Sequence, residues 1–145
     1  MTGESFLIVR LQGREFVVPS RTVNAVMSLR GQHLLAATPR GLFRKRLKVH
    51  GAMIPVGAPH EALGLPGPSI SARTCLLIAE RPQTNSAALR FGVIVDSVSR
   101  LETFAPKDVR SEAVRIHGKW RPVLNLDAMF SASAVAQAAL SGNAA

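Results

Sequence analysis

The chain has one cysteine, Cys75, among 145 residues, and its apolar runs are short. A single cysteine excludes an internal disulfide bond and is consistent with a reducing compartment. A domain of this size buries roughly 70% of its unfolded surface, so it needs no disulfide bond to stabilise its core. The N-terminal apolar run covers only residues 6–9, too short for a signal peptide or a membrane span. We expect one cytoplasmic domain over residues 1–145, without direct membrane insertion.

Aromatic residues are also scarce, with no tyrosine and one tryptophan, Trp120. Proteins that bind single-stranded nucleic acid usually stack bases on exposed aromatic rings. The chain contains no zinc-finger, homeodomain or RNA-recognition signature. Nucleic acid is therefore not the first partner that we expect.

Acidic residues number nine, against 18 lysines and arginines, and the formal net charge is +9. Five of these cations lie in one acid-free stretch, "RGLFRKRLKVH", which leaves +4 for the rest of the chain. Such a cluster indicates an acidic partner or, equally, a strand whose charges prevent edge-to-edge pairing. We call these five residues the basic patch: Arg40, Arg44, Lys45, Arg46 and Lys48.

No catalytic or metal-binding constellation is present in the sequence. The four histidines and Cys75 do not show the close spacing of zinc ligands, and the acids are dispersed. Cys75 lies in the apolar stretch "TCLLIA", which is typical of a small core residue. There is no Walker loop. We therefore predict no catalytic residue, no metal and no cofactor, and interpret the chain as a binding module rather than an enzyme.

Apolar runs separated by turn residues predict a succession of β-strands. "SFLIVRLQGREFVVPS" and "FRKRLKVHGAMIPVG" each predict a hairpin, the second with His50 and Gly51 at its turn. Further strands are expected at 74–79 and 89–96. "RTVNAVMSL" fits either a short strand or a helical turn. The Ala-rich end predicts a short helix over about 126–140, within an Ala/Ser-rich tail at 131–145.

The sequence also repeats itself. "HGAMIPV" at 50–56 and "HGKWRPV" at 117–123 share one frame, and "FVVPSRTVNAV" aligns with "FGVIVDSVSRL". Two pseudo-repeated halves, roughly 5–70 and 71–130, predict an all-β fold of two packed small barrels. Gly51 and Gly118 fit tight turns, where a Cβ atom is unfavourable. We therefore interpret both His-Gly frames as structural turns rather than active-site loops.

Four segments in register carry a resemblance to a known family: "FLIVRLQGREFVVPSRTVNAV", "GAMIPVGAPHEALGLPG", "LRFGVIVDSVSRL" and "HGKWRPVLNLDAMF". They resemble the chemotaxis coupling proteins, the CheW-like domain family, over about residues 5–130. The resemblance implies two intertwined five-stranded SH3-like β-barrels. It also implies a non-enzymatic adaptor that joins the cytoplasmic tip of a chemoreceptor to a CheA-type histidine kinase. Other CheW-like domains are a further implied partner, and the implied setting is a membrane-anchored receptor array.

The resemblance also suggests where the partners bind. The receptor tip would lie in the groove between the barrels, for which the candidates are His50, Gly51, Val95, Asp96 and Val98. For the two valines of this set a core position is the favoured alternative, since alternating strand residues are usually buried. The kinase would dock on the outer face of one barrel. The candidates for that face are Val23 and Val26.

Several positions depart from the family pattern. His50 occupies a position where the family usually has arginine, and histidine is not a permanent bidentate donor. Ala25 and Arg100 stand where the family often has glutamate. These differences predict a divergent member. The alternative hypothesis is a nucleic-acid-binding small barrel that uses the basic patch, which would lose affinity steeply with salt.

Overall fold

The computed structural model of the protein describes residues 3–36, 42–81 and 89–131. The described chain is mostly β-strand, with three short 3₁₀ turns and one short α-helix, α1 (Leu126–Ser131). The strands are β1 (Glu4–Leu11), β2 (Arg14–Pro19), β3 (Ala25–Ser28), β4 (Leu35–Ala36), β5 (Lys45–Val49), β6 (Ala52–Gly57), β7 (Cys75–Arg81), β8 (Leu89–Val95), β9 (Ser97–Phe104), β10 (Ala113–Ile116) and β11 (Lys119–Pro122).

The first barrel is formed by β1, β2, β9, β10 and β11. Its three-stranded sheet has the order β2-β1-β9, and the β10-β11 hairpin joins β2 through a parallel bridge between Val17 and Val123. The Leu124 N–H extends this contact by donating to the Val17 carbonyl oxygen at 2.8 Å. The barrel interior is filled by buried apolar side chains: Phe6, Ile8, Val17, Phe104, Val114 and Ile116.

The second barrel is a six-stranded sheet in the order β3-β7-β8-β6-β5-β4. Five of these strands have at least four residues, whereas β4 has two. The barrel therefore has the five predicted strands and one additional short edge strand. A Cβ atom on Gly92 of β8 would come within 2.9 Å of the Leu76 side chain, which explains why this strand carries a glycine. The interior consists of Leu29, Leu47, Val49, Ile54, Val56, Leu76, Ile78 and Ile94.

The path of the chain interlaces the two barrels. The first barrel combines β1 and β2 with β9, β10 and β11, whereas the second combines β3 to β6 with β7 and β8. The first barrel therefore contains strands from both ends of the sequence, and the second is built from the strands between them. The predicted all-β fold of two packed SH3-like barrels is confirmed. The two halves of the sequence repeat the same order of hairpins and turns. Each half contributes strands to both barrels, so a half does not correspond to one barrel.

A third apolar cluster, which we call the middle core, lies between the barrel interiors. It receives Val9 and Leu11 from β1 and Val93 and Val95 from β8. β1 is consequently buried on both faces, because its alternate residues Phe6 and Ile8 point into the first barrel. This double burial explains the continuous apolar run of β1 in place of a strict apolar–polar alternation.

Three phenylalanines form the centre of the middle core. The rings of Phe91 and Phe130 stack with centroids 4.4 Å apart and an interplanar angle of 4°. Phe43 packs edge-on against them, at centroid distances of 5.7 and 5.4 Å. Since these rings come from β8, α1 and the segment before β5, the middle core joins distant parts of the chain into one packed body.

The two His-Gly frames form equivalent hairpin turns. His50 and Gly51 have φ values of 49° and 83°, and His117 and Gly118 have φ values of 49° and 78°. Two consecutive positive φ angles are what a type I′ turn requires, and this turn fits the twist of a two-stranded hairpin. The turns connect β5 to β6 and β10 to β11. The interpretation of both frames as structural turns agrees with this geometry.

The C-terminal helix begins where it was predicted. The Asn125 side chain caps α1 by accepting a hydrogen bond from the Ala128 N–H at 2.9 Å. Leu126 and Phe130, four residues apart, bury one face of the helix in the middle core. The described helix ends at Ser131, and the remainder of the predicted helix and the Ala/Ser-rich tail lie outside the described residues.

Candidate protein-docking surfaces

Asp96, at the junction of β8 and β9, connects the two barrels. Its carboxylate accepts a hydrogen bond from the Gln12 N–H in the β1–β2 turn. The other carboxylate oxygen lies 3.0 Å from Nε2 of His60, which is completely buried. The Asp96 N–H also donates to the Arg10 carbonyl oxygen at 3.0 Å. This residue therefore ties the first barrel to the segment after β6.

We expect the Asp96→Ala variant to lose about 3 kcal/mol of unfolding free energy, because it leaves the buried His60 side chain and the half-buried Gln12 N–H without their charged partner. The Asp96→Asn variant keeps the shape and one acceptor oxygen, so it should lose less. Urea denaturation with an unchanged m-value measures both effects. A change below about 0.5 kcal/mol for Asp96→Ala, the range of ordinary surface substitutions, would contradict this role.

The five receptor-groove candidates have different environments. His50 and Gly51 are exposed at the tip of the β5–β6 hairpin. Val95 is 0% exposed in the middle core, so its side chain is a packing residue in this structure, and its contact with a receptor stays a prediction. Asp96 is occupied by the internal bonds described above. Val98 is half-buried at the edge of the middle core, which leaves part of it accessible.

An apolar strip extends from the middle core along β9. Leu101 is 61% exposed and pairs directly with Leu7 of β1, which is half-buried against the middle core. Val98 pairs with Val9 on the same face of the sheet. We call the accessible residues Leu7, Val98 and Leu101 the β9 strip. Large exposed apolar side chains that adjoin one another are typical of protein-docking surfaces.

The sequence pattern conceals the β9 strip. Val98 and Leu101 are three residues apart, a spacing that normally places two strand residues on opposite faces. The pairing of β1 with β9 shifts between Ile8 and Val9, which makes Ser99 an extra residue in β9. This β-bulge returns both apolar side chains to one face. A search for irregular apolar spacing beside a polar residue could have suggested Leu101 as a site residue.

The two kinase-face candidates lie at the start of the second barrel. Val26 is 44% exposed on β3, which is an edge strand of its sheet. Val23 is half-buried and packs against the middle core. The "RTVNAVMSL" stretch thus contains both structures that its pattern allowed, a 3₁₀ turn at Ser20–Thr22 followed by β3. Val26 is the accessible member of the pair, and Val23 anchors the segment that carries it.

The basic patch lies on and before β5. Leu47 and Val49 point into the second barrel, so the alternating residues Arg46 and Lys48 point outwards. Lys45 is also exposed at the first position of the strand. Arg44 forms an ion pair with Glu61 at 3.1 Å. Arg40 lies outside the described residues.

An open groove of about 630 Å³ borders the basic patch. Both Arg44 and Lys45 line it, beside Ile70, which is 58% exposed. The rest of the lining is mainly apolar and includes Leu34, Leu42, Val56, Ala58 and Ile94. Glu61, the partner of Arg44, also lines the groove, which therefore combines an apolar surface with a small excess of positive charge.

Cys75 has the properties of a packing residue rather than a nucleophile. Burial raises the pKa of its thiol, against a smaller opposing effect of a hydrogen bond with the Val98 backbone. The Cys75 thiol donates to the Arg73 carbonyl oxygen at 3.4 Å. A raised pKa reduces the thiolate fraction at neutral pH, and the thiolate is the reactive species.

Comparison with known proteins agrees with this architecture. The family model described as the CheW-like domain matches residues 5–126. The chain belongs to the CheW-like domain family. This CheW-like chain also superposes on the crystal structure of the scaffolding protein TtCheW from Thermoanaerobacter tengcongensis, with a TM-score of 0.71. The superposition covers 86% of this chain and 90% of that one, at 14% sequence identity, which establishes the shared fold. No curated protein gave a match.

Within residues 3–36, 42–81 and 89–131, no helix has the length and apolar character needed to cross a bilayer.

Proposed function

We propose that this CheW-like protein is a non-enzymatic adaptor that couples a chemoreceptor tip to a CheA-type histidine kinase. The observation that carries the proposal is the presence of two separate exposed apolar surfaces, the β9 strip and the β3 edge around Val26. They belong to different barrels that share the middle core. An adaptor needs this arrangement, because two partners must be held in a constant relative position.

The β9 strip suits a helical receptor tip. A helix presents apolar residues at i, i+3 and i+4, and these anchor in an apolar groove of a partner. Leu101 supplies the most exposed apolar side chain of the strip, and Val98 and Leu7 continue it towards the middle core. Asp96 supports the strip indirectly, because its hydrogen bonds hold the β8–β9 junction immediately before Val98.

The β3 edge suits the CheW-like domain of a kinase. β3 pairs with β7 on one side and forms the end of its sheet on the other. Ala25 lies beside Val26, where the family often has glutamate, so this strand carries no acidic residue. Contact at this edge should therefore depend on apolar burial, with weak dependence on salt.

The basic patch supports an acidic protein partner better than a nucleic acid. Phe43, the phenylalanine beside the patch, is only 1% exposed, so its ring cannot stack with a base. The exposed cations instead border an apolar groove, which suits an acidic amphipathic segment of the kinase or receptor. Charges in such a position mainly affect the rate of association.

A pulldown tests the adaptor function directly. The wild-type protein is used as bait in a nuclease-treated lysate of its source organism at moderate salt, and bound proteins are identified by mass spectrometry. Recovery of a chemoreceptor or a CheA-type kinase is expected. Recovery of neither, together with nucleic acid in the untreated control, would favour the basic-barrel alternative.

Reversal of three cations tests the basic patch. We expect the Arg44→Glu, Lys45→Glu, Arg46→Glu triple variant to associate with the acidic partner at least about tenfold more slowly at low salt. Its unfolding free energy should change little, because these side chains are exposed. Stopped-flow or surface-plasmon measurements give the rate, and circular dichroism confirms the fold. Unfolding of the variant would show that the patch is structural instead.

A further inference from the structure

Three arginines converge on a cleft that none of the docking surfaces uses. The cleft has a volume of about 610 Å³ and lies where the β1–β2 hairpin meets β11 and Leu63. Arg10, Arg14 and Arg121 line it, together with one acidic residue, Glu15. Leu63 comes from the segment after β6, so the cleft lies at the contact between the first barrel and that segment.

The charges in the cleft do not balance. Glu15 lies 3.6 Å from Nη2 of Arg10 and 3.3 Å from Nε of Arg121, and its side chain is only 17% exposed. Arg14 has no ion pair within the part of the chain that the structure describes. Three cations therefore share one carboxylate, which leaves an excess of two positive charges in a concave site.

One buried donor in the cleft lacks a hydrogen bond. The Nε atom of Arg121 is shielded from solvent, and its approach to Glu15 does not have hydrogen-bond geometry. This atom faces the Glu15 carboxylate, so Arg121 is held in place by its ion pair with Glu15. The observation that indicates an anionic ligand is the excess of positive charge in the cleft.

The cleft is also preorganised for binding a ligand. Arg10 and Arg14 flank the tight turn at Gln12 and Gly13, whose φ values are 50° and 78°. Asp96 holds this turn through the Gln12 N–H, and the Gln12 side chain donates to the Gly67 carbonyl oxygen at 2.6 Å. The backbone positions of both arginines are thus set without a ligand, which lowers the entropic cost of binding one.

We propose that this cleft binds a phosphate monoester in its dianionic form. The excess of two positive charges matches the charge of the dianion. Guanidinium groups bind phosphate oxygens with paired donors, and three of them can surround one phosphate. The volume exceeds that of a bare ion, so the phosphate can belong to a phosphorylated side chain of a partner or to a small phosphorylated molecule.

Phosphate titration followed by ³¹P NMR and by thermal unfolding tests the proposal, at an ionic strength matched with sodium chloride. The main variant is Arg14→Gln, which removes an exposed cation that has no ion pair in the described structure. The matched control is Arg30→Gln, the same change at an exposed site on the second barrel. Arg121→Gln is a second cleft variant, whose fold is checked by circular dichroism because Glu15 loses a partner.

We expect inorganic phosphate to bind the wild-type protein and Arg30→Gln equally. Arg14→Gln should bind about tenfold more weakly, as for the loss of one charge-assisted hydrogen bond. General stabilisation by phosphate acts through exclusion from the protein surface and would be the same in both variants. Equal phosphate effects in all variants, or no effect beyond that of chloride, would overturn the proposal.

A comparison of ligands identifies the source of the phosphate. A short peptide with one phosphoserine is titrated beside its unphosphorylated form and inorganic phosphate. Tighter binding of the phosphopeptide, abolished in Arg14→Gln, indicates a phosphorylated protein partner. Equal binding of phosphopeptide and inorganic phosphate indicates a small phosphorylated ligand. Equal binding of both peptides would show that the cleft does not recognise phosphate.

Discussion

Replacement of Phe91 by alanine should lower the unfolding free energy by about 3–5 kcal/mol, the usual cost of deleting a buried aromatic ring. Phe91 is 1% exposed in the middle core and contacts the rings of both Phe43 and Phe130. Its removal leaves a cavity lined by residues from distant parts of the chain. The loss should therefore affect the contact between the barrels as well as the second barrel.

Chemical denaturation with two probes measures this effect. The wild-type protein should unfold in one transition, because the middle core is common to both barrels. The Phe91→Leu variant retains much of the buried volume and should lose clearly less stability than Phe91→Ala. A loss below about 1 kcal/mol for Phe91→Ala would mean that the middle core relaxes around the gap and does not hold the barrels together.

The second large effect concerns binding. We expect Leu101→Asp to weaken receptor binding and Val26→Asp to weaken kinase binding, each by about 100-fold, as for an interface hot spot. A carboxylate at either position must be desolvated without a partner when the interface forms. Both residues are exposed and adjoin the cores only at their margins, so the fold should remain intact.

Each of these variants is the control for the other. Leu101→Asp should retain kinase binding, and Val26→Asp should retain receptor binding, because the residues lie on different barrels. Isothermal titration calorimetry with the purified receptor tip and kinase domain measures all four affinities. Loss of both partners in either variant would show a single shared surface or a folding defect. Retention of both partners would remove the β9 strip and the β3 edge from the proposed interface.

The sequence alone determined the features that depend on local chemistry. The hairpins, the His-Gly turns and the start of α1 follow from apolar periodicity, glycine conformation and capping, which act over a few residues. The all-β class and the family also follow, because the repeated turns and the G-x-x-V-D-x-V strand remain visible in one sequence. Val26 was predicted as a kinase-face residue for the same reason, as part of a motif read in register, and that role stays a prediction.

Only the tertiary structure decided which candidates are accessible. Val95 and Val98 are both valines, three residues apart. The first is buried in the middle core, whereas the second lies at the edge of that core. Leu101 joins the β9 strip through the bulge at Ser99, which depends on pairing with β1. The partners of Asp96 and the lining of the arginine cleft come from residues far apart in sequence, such as Arg10 and Arg121, 111 positions apart, which both line the cleft. Such contacts arise from the interlaced path of the chain through two barrels, and no local pattern encodes that path.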